Sequence, residues 1–194
     1  MKQGEETKNH ILQVGMDLIL QKGFTGVGIS EILKAADVPK GSFYHYFASK
    51  EVFGQELIDF YFDDYLARLS EIFADNSLNF SEKLLKYWQV WQENEISGIR
   101  CLIVKLSAEV SDVSDLMRKH IQQGMQRVMN KVVEELEREQ QAGKFEQVSP
   151  QFLVSNIFSS FLGACLIYKV NRPSTESFTL VEQNLKQQLA LLQK

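Results

Sequence analysis

The sequence predicts an all-α protein of about nine helices. Apolar residues return at three- and four-residue spacing along almost the whole chain, strand-like alternation is nearly absent, and the pattern breaks at residues such as Gly23, Pro39, Gly143 and Pro173. With 194 residues, 44% of them hydrophobic and 24% charged, the chain is long enough for a substantial core.

Taken in order, the first helix is expected from Glu5 to Lys22, with Ile11, Leu12, Gly15, Leu18 and Ile19 on one face and Gly23 as its C-terminal stop. Short helices follow over Ile29 to Ala36 and Lys40 to Phe47. Ser49 is placed to cap a long helix from Lys50, where Glu51 complements the positive end of the helix dipole. That helix carries Phe53, Leu57, Phe60, Leu69 and Phe73. After the polar break Asp75-Asn76-Ser77, helices are expected over Phe80 to Glu95, Cys101 to Val110 and Ser114 to Ala142, the last ended by Gly143. Ser149 and Pro150 read as an N-cap followed by proline at the first helical position. The helix beyond them closes near Asn171, and a final one covers Thr175 to Leu192. The economical division is a small three-helix domain, residues 1–49, and a larger helical domain, residues 50–194.

Composition narrows the function. Lys and Arg number 21 against 25 Asp and Glu, a formal charge of −4, which taken whole argues against a nucleic-acid partner. The average hides a difference: residues 1–50 hold six Lys and five acids, a net of +1, which leaves −5 for the rest. No run of 18 apolar residues occurs, and Met1-Lys2-Gln3-Gly4-Glu5-Glu6 lacks the apolar core of a signal peptide, so a cytoplasmic protein with no membrane partner is expected. Two cysteines, Cys101 and Cys165, are too few for a disulfide scaffold or a Cys-based zinc site. His10, His45 and His120 do not fall at metal-ligand spacing, and no HExxH, Gly-rich phosphate loop or nucleophile elbow is present. No metal, cofactor or enzymatic activity is expected. A small helical enzyme of the glutathione-transferase kind, the competing class, would need a strand-containing domain that the pattern lacks.

Residues 29–47 have the outline of a helix-turn-helix. Ile29, Ile32, Leu33 and Ala36 mark one face, Asp37-Val38-Pro39 interrupts it, and Phe43 and Phe47 mark the next. With those two rings inward, Gly41, Ser42 and His45 fall on the opposite face and Tyr44 and Tyr46 on its flanks. Such a face suits the major groove: Ser42 and His45 reach base edges, Gly41 permits close backbone approach, and Lys40, Tyr44, Tyr46 and Lys50 are placed for phosphates. Two ordinary core helices with a polar outer side produce the same spacing.

The runs Lys22-Gly23-Phe24, Ile29-Ser30-Glu31-Ile32 and Val38 to Glu51 make residues 11–51 resemble the DNA-binding domain of the TetR family of bacterial regulators. The resemblance implies a homodimeric, wholly helical repressor with an N-terminal helix-turn-helix and a C-terminal ligand-sensing and dimerisation domain. Its partner would be a double-stranded DNA operator. Carried over, Lys40, Ser42 and His45 lie nearest the bases, Tyr44, Tyr46 and Lys50 meet the backbone, and Ser30 is another DNA-facing position. Gly28 departs from the capping Thr or Ser of many relatives, though glycine is itself an acceptable N-cap.

The segment Cys101 to Val110, with Leu162-Gly163-Ala164 and Lys169, is similar to the branch of that family controlling N-ethylmaleimide reductase, which answers reactive electrophiles and oxidants through a cysteine. The resemblance implies Cys101 as sensor thiol and Lys169 as its lysine partner. Cys101 follows Arg100 and precedes Lys105 by one turn, and nearby cations or a helix N-terminus favour a thiolate. Cysteine is also a common buried apolar residue, and Cys165, in the run Phe161 to Tyr168, is expected to pack. Tyr87, Trp88, Trp91, Phe158, Phe161 and Tyr168 are candidates for an effector pocket for a small hydrophobic ligand, a stripe that simple core packing also produces. The last two helices would pair with those of a second copy.

Overall fold

The computed structural model describes residues 2–98, 101–110 and 114–192, and among them are nine helices and no strand. They are α1 (Lys2–Lys22), α2 (Ile29–Ala36), α3 (Lys40–Tyr46), α4 (Lys50–Ala74), α5 (Phe80–Ser97), α6 (Leu102–Val110), α7 (Asp115–Gln141), α8 (Pro150–Asn171) and α9 (Glu176–Leu192). The all-α expectation holds, with most boundaries where they were expected, several displaced by one or two residues, and α1 beginning three residues early, at Lys2. Arg100, expected beside the sensor thiol, lies outside the described residues.

The helix ends obey local chemistry. Gly23 closes α1 at φ +86° and Gly143 follows α7 at φ +80°. Ser49 Oγ accepts the Val52 N–H at 3.1 Å, and Ser149 Oγ accepts that of Phe152 ahead of Pro150. The start of α5 carries a device the sequence reading did not name. Asn79 Oδ1 accepts the Glu82 N–H at 3.1 Å while Glu82 Oε2 accepts the Asn79 N–H at 2.8 Å, a capping box.

The chain divides into two compact units, Met1–Asp64 with Leu102–Gly124, and Tyr65–Cys101 with Met125–Lys194; the division crosses α4 and α7. In the first unit, Ile11, Ile19, Ile32, Phe43, Phe47 and Phe53 are fully buried, and the three phenylalanine rings pack with centroids 5.1–5.4 Å apart. Helices approach closely where glycine allows it: a Cβ at Gly15 would overlap Phe53, and one at Gly124 would overlap Phe62. Polar ties brace the same unit. Lys8 pairs with Glu56 at 2.8 Å, His10 Nε2 donates to the Ala36 carbonyl at 3.0 Å, and His120 Nδ1 meets Asp59 at 2.9 Å.

The second unit is built on α5, α8 and α9, with Trp88, Phe161 and Phe178 at its centre. Helix α8 is long and apolar enough to cross a membrane by composition, at a mean hydropathy of 1.5. Eight of its residues, among them Ile157, Phe161 and Cys165, are nonetheless buried within this unit.

Candidate nucleic-acid interface and thiol cluster

The short helix α3 is aimed by what it buries. Phe43 and Phe47 are both 0% exposed, so the rotation of the helix is fixed and Tyr44 and His45 between them turn outward. Asp37 takes the left-handed conformation at φ +52° as C-cap of α2, Pro39 is the N-cap of α3, and the Ser42 N–H bonds the Pro39 carbonyl at 2.9 Å. An acid tolerates that conformation better than most residues, which keeps the inter-helix turn tight.

The expected face is laid out on the surface. Ser30, Lys40, Gly41, Tyr44 and His45 are exposed and Ser42 is half-buried. Gly41 has open space around it: a Cβ there would meet nothing within 4 Å. Lys40 Nζ stands 5.9 Å from the Tyr44 ring centroid. Two candidates are set differently. Tyr46 is half-buried with its hydroxyl close to Gly4 of α1, and Lys50 turns inward, donating to the Phe24 carbonyl at 2.6 Å with its amine over the Phe24 ring. Gly28 caps α2 through its backbone alone.

Both cysteines are buried thiols. Cys101 stands immediately before α6, and its N–H is taken by the carboxylate of Glu95, itself only 5% exposed. Burial pushes the Cys165 thiol far up, and the charges of Glu95 and of Cys101 add to that against an opposing pull from Lys169. Burial also pushes the Tyr87 hydroxyl far up, opposed by its hydrogen bond with Tyr65 and assisted by both cysteines. Tyr87, Glu95, Cys101, Cys165 and Lys169 thus share one electrostatic neighbourhood. Glu95 was not anticipated, although it continues the buried stripe Leu84, Trp88, Trp91 by one turn, which is the signal that marks it.

The six aromatic pocket candidates are all buried, and five of them pack ring on ring, from 4.2 Å between Trp88 and Phe161 to 6.4 Å between Trp88 and Trp91. Tyr168 lies 4.8 Å from Phe178. The Trp88 indole N–H meets no hydrogen-bond acceptor among the described residues. A cavity of about 610 Å³ opens elsewhere in the second unit, lined by Phe73, Phe80, Lys83, Lys131, Glu135 and Arg138. Arg138 and Lys131 both pair with Glu135, at 2.6 Å and 3.7 Å, and Lys83 donates to the Phe73 carbonyl at 2.8 Å. Among the described residues no group of three His, Cys, Asp or Glu is gathered for a metal.

Comparison with known proteins decides the class. The profile described as "Bacterial regulatory proteins, tetR family" matches residues 11–57, and that described as "Tetracyclin repressor-like, C-terminal domain" matches residues 82–181. The HTH-type transcriptional repressor NemR of Escherichia coli K12 is 41% identical over 174 residues, 86% of each chain. The chain belongs to the TetR family. It is a DNA-binding transcription regulator rather than an enzyme. The crystal structure of the reduced form of E. coli NemR superposes with a TM-score of 0.86 at 38% identity, covering 94% of this chain and 96% of that one. The transcriptional repressor DhaR of Mycobacterium sp. strain GP1 is 29% identical over 182 residues, 92% of this chain and 91% of its own. As in other TetR-family proteins, the helix-turn-helix is N-terminal, here α2 and α3.

Proposed function

We propose that this chain is a homodimeric cytoplasmic repressor, made of a reading head at 1–49 and a sensing and dimerisation domain at 50–194, that leaves its operator when Cys101 reacts with an electrophile or oxidant. The observation that carries DNA reading is the outer face of α3, kept polar, small and open while Phe43 and Phe47 lock its other side. Each subunit would place α3 in a major groove, in successive grooves about 34–36 Å apart on a near-palindromic site. Lys40, Ser42 and His45 face the bases, and Ser30 and Tyr44 meet phosphates. Tyr46 and Lys50 reach the backbone only if their side chains swing out of their present contacts. In gel-shift titrations, His45→Ala weakens operator binding selectively, whereas Tyr44→Phe weakens binding to any duplex; if neither changes, α3 does not read DNA through this face.

The dimer is supported by α8 and α9. Phe152, Leu166, Ile167 and Val170 of α8 and Leu180 and Leu191 of α9 are more than half exposed. Apolar surface of that extent on adjacent helices fits a second copy of the chain.

Sensing is supported by the position of Cys101 immediately ahead of α6, in the same electrostatic neighbourhood as Glu95 and Cys165. Addition to an activated alkene would form the S–C bond and return the thiol proton to the adjacent carbon, with Lys169 as the nearby cation. Cys101→Ser should bind DNA as wild type and no longer be released by N-ethylmaleimide. Persistence of release removes Cys101 as sensor. The Trp88 N–H, which meets no acceptor among the described residues, favours a second reading, a noncovalent hydrophobic effector that carries an acceptor for it and is inserted among the aromatic rings. Intact-mass measurement separates the two, since only the first leaves an adduct on released protein.

A further inference from the structure

Between α1 and α2 the chain turns through Gly23, Phe24 and Thr25, and the carboxylate of Glu109, near the end of α6, is set against that turn. One oxygen, Oε1, accepts both the Thr25 backbone N–H and the Thr25 hydroxyl, each at 2.6 Å. The other, Oε2, lies 2.8 Å from where a Cβ on Gly23 would stand, and Gly23 has a φ of +86°. Close approach and positive φ both call for glycine, so the turn is shaped to admit the carboxylate. Lys50 at the start of α4 also holds this turn, donating to the Phe24 carbonyl, and its amine and Glu109 attract one another. Burial raises the Glu109 carboxylate, but the hydrogen bonds from Thr25 and Phe24 and the charge of Lys105 outweigh it and keep the group below its usual range. At neutral pH the grip is therefore that of a charged acceptor.

Helix α6 is well placed to carry displacement to this grip. Leu102, Ile103, Leu106 and Val110 are buried, so it cannot rotate freely. Glu109 follows Cys101 by eight residues, about 12 Å along a helix.

We propose that Glu109 is a positioning residue: by clamping the turn that leads into α2, it transmits the position of α6 to the helix-turn-helix and holds it in the DNA-binding posture. The direction of the effect rests on the repressor reading above, in which the thiol form holds DNA.

The test uses the full chain and a duplex selected by the wild-type protein from a randomised pool. Glu109→Ala, which removes both bonds to Thr25, should lower affinity for that duplex by about tenfold or more, within the range of ordinary allosteric couplings. Glu109→Gln keeps an oxygen able to accept both bonds and should return affinity to within about threefold of wild type. Thr25→Val should weaken binding and add little to Glu109→Ala, because the two act through one contact. Amide exchange at Phe24 and Thr25 supplies an arm that needs no DNA: it should accelerate about tenfold in Glu109→Ala and not in Glu109→Gln. Wild-type affinity in Glu109→Ala, an affinity loss that Glu109→Gln fails to recover, or unchanged exchange overturns the clamp. If the wild-type chain selects no duplex, the repressor reading fails instead, and the exchange arm still decides the clamp.

Discussion

Gly41 and Phe43 sit two positions apart on α3 and are set by opposite demands. Phe43 is fully buried, whereas a Cβ at Gly41 would meet nothing, so no contact within the chain requires glycine there. Replacing a helical glycine with alanine stabilises a helix by roughly 1 kcal/mol. Gly41→Ala should therefore raise the melting temperature by a few degrees while weakening operator binding by about tenfold, the methyl group standing between backbone and groove. Unchanged operator affinity with a raised melting point would show that α3 does not approach DNA at Gly41. The cysteines divide in the same way. Cys165 is wholly buried with its thiol pushed far up, and burial is the first cause. Cys165→Ala should cost about 1 kcal/mol of stability through a small void and leave release by N-ethylmaleimide unaltered. Loss of release in Cys165→Ala would make it a working partner of Cys101. Peptide mapping of an adduct on Cys165 ahead of Cys101 would contradict the assignment directly.

The helices were legible wherever their limits are set by neighbours in sequence. Gly23 and Gly143 as stops and Ser49 and Ser149 as caps follow from backbone groups a few residues away, and the structure has all four. What no local pattern encodes is which surfaces meet. The periodicity that placed Gly15 on the inner face of α1 does not name Phe53 as its neighbour, and nothing in the string joins Glu109 to Thr25, 84 residues earlier. Gly124 shows the energetic consequence. In isolation Gly124→Ala should favour α7, but the added Cβ would overlap Phe62, a ring 1% exposed with nowhere to retreat. Overpacking costs about 1–3 kcal/mol, more than the helix gains, so thermal denaturation should show a net loss. Phe62→Leu in the same chain should recover part of it. A Gly124→Ala variant more stable than wild type would mean that α4 and α7 separate there easily.

At the scale of the whole molecule, periodicity had told apolar from polar without telling core from interface. The aromatic candidates Tyr87, Trp88, Trp91 and Phe161 proved mutually packed, whereas part of the α8 stripe faces outward, and both look alike in the sequence. On α8, Phe152, Leu166, Ile167 and Val170 fall within an arc of about 100°. Gly163 lies in the same arc, where a Cβ would meet nothing within 4 Å, leaving room for another helix to come close. Val170, at 85% exposed, is the most open of these side chains. Val170→Glu therefore places a charge where the second copy of α8 would stand and costs the single chain nothing in packing. Sedimentation at micromolar concentration should show wild-type dimers and Val170→Glu monomers with unchanged helical content. Two half-sites held in one dimer bind as a linked pair, so the monomer should lose operator affinity by about 100-fold or more without any change to α3. Val170→Glu dimers of wild-type affinity would place the dimer seam away from this face. Monomers that still bind a two-site operator like wild type would mean that each reading head works alone.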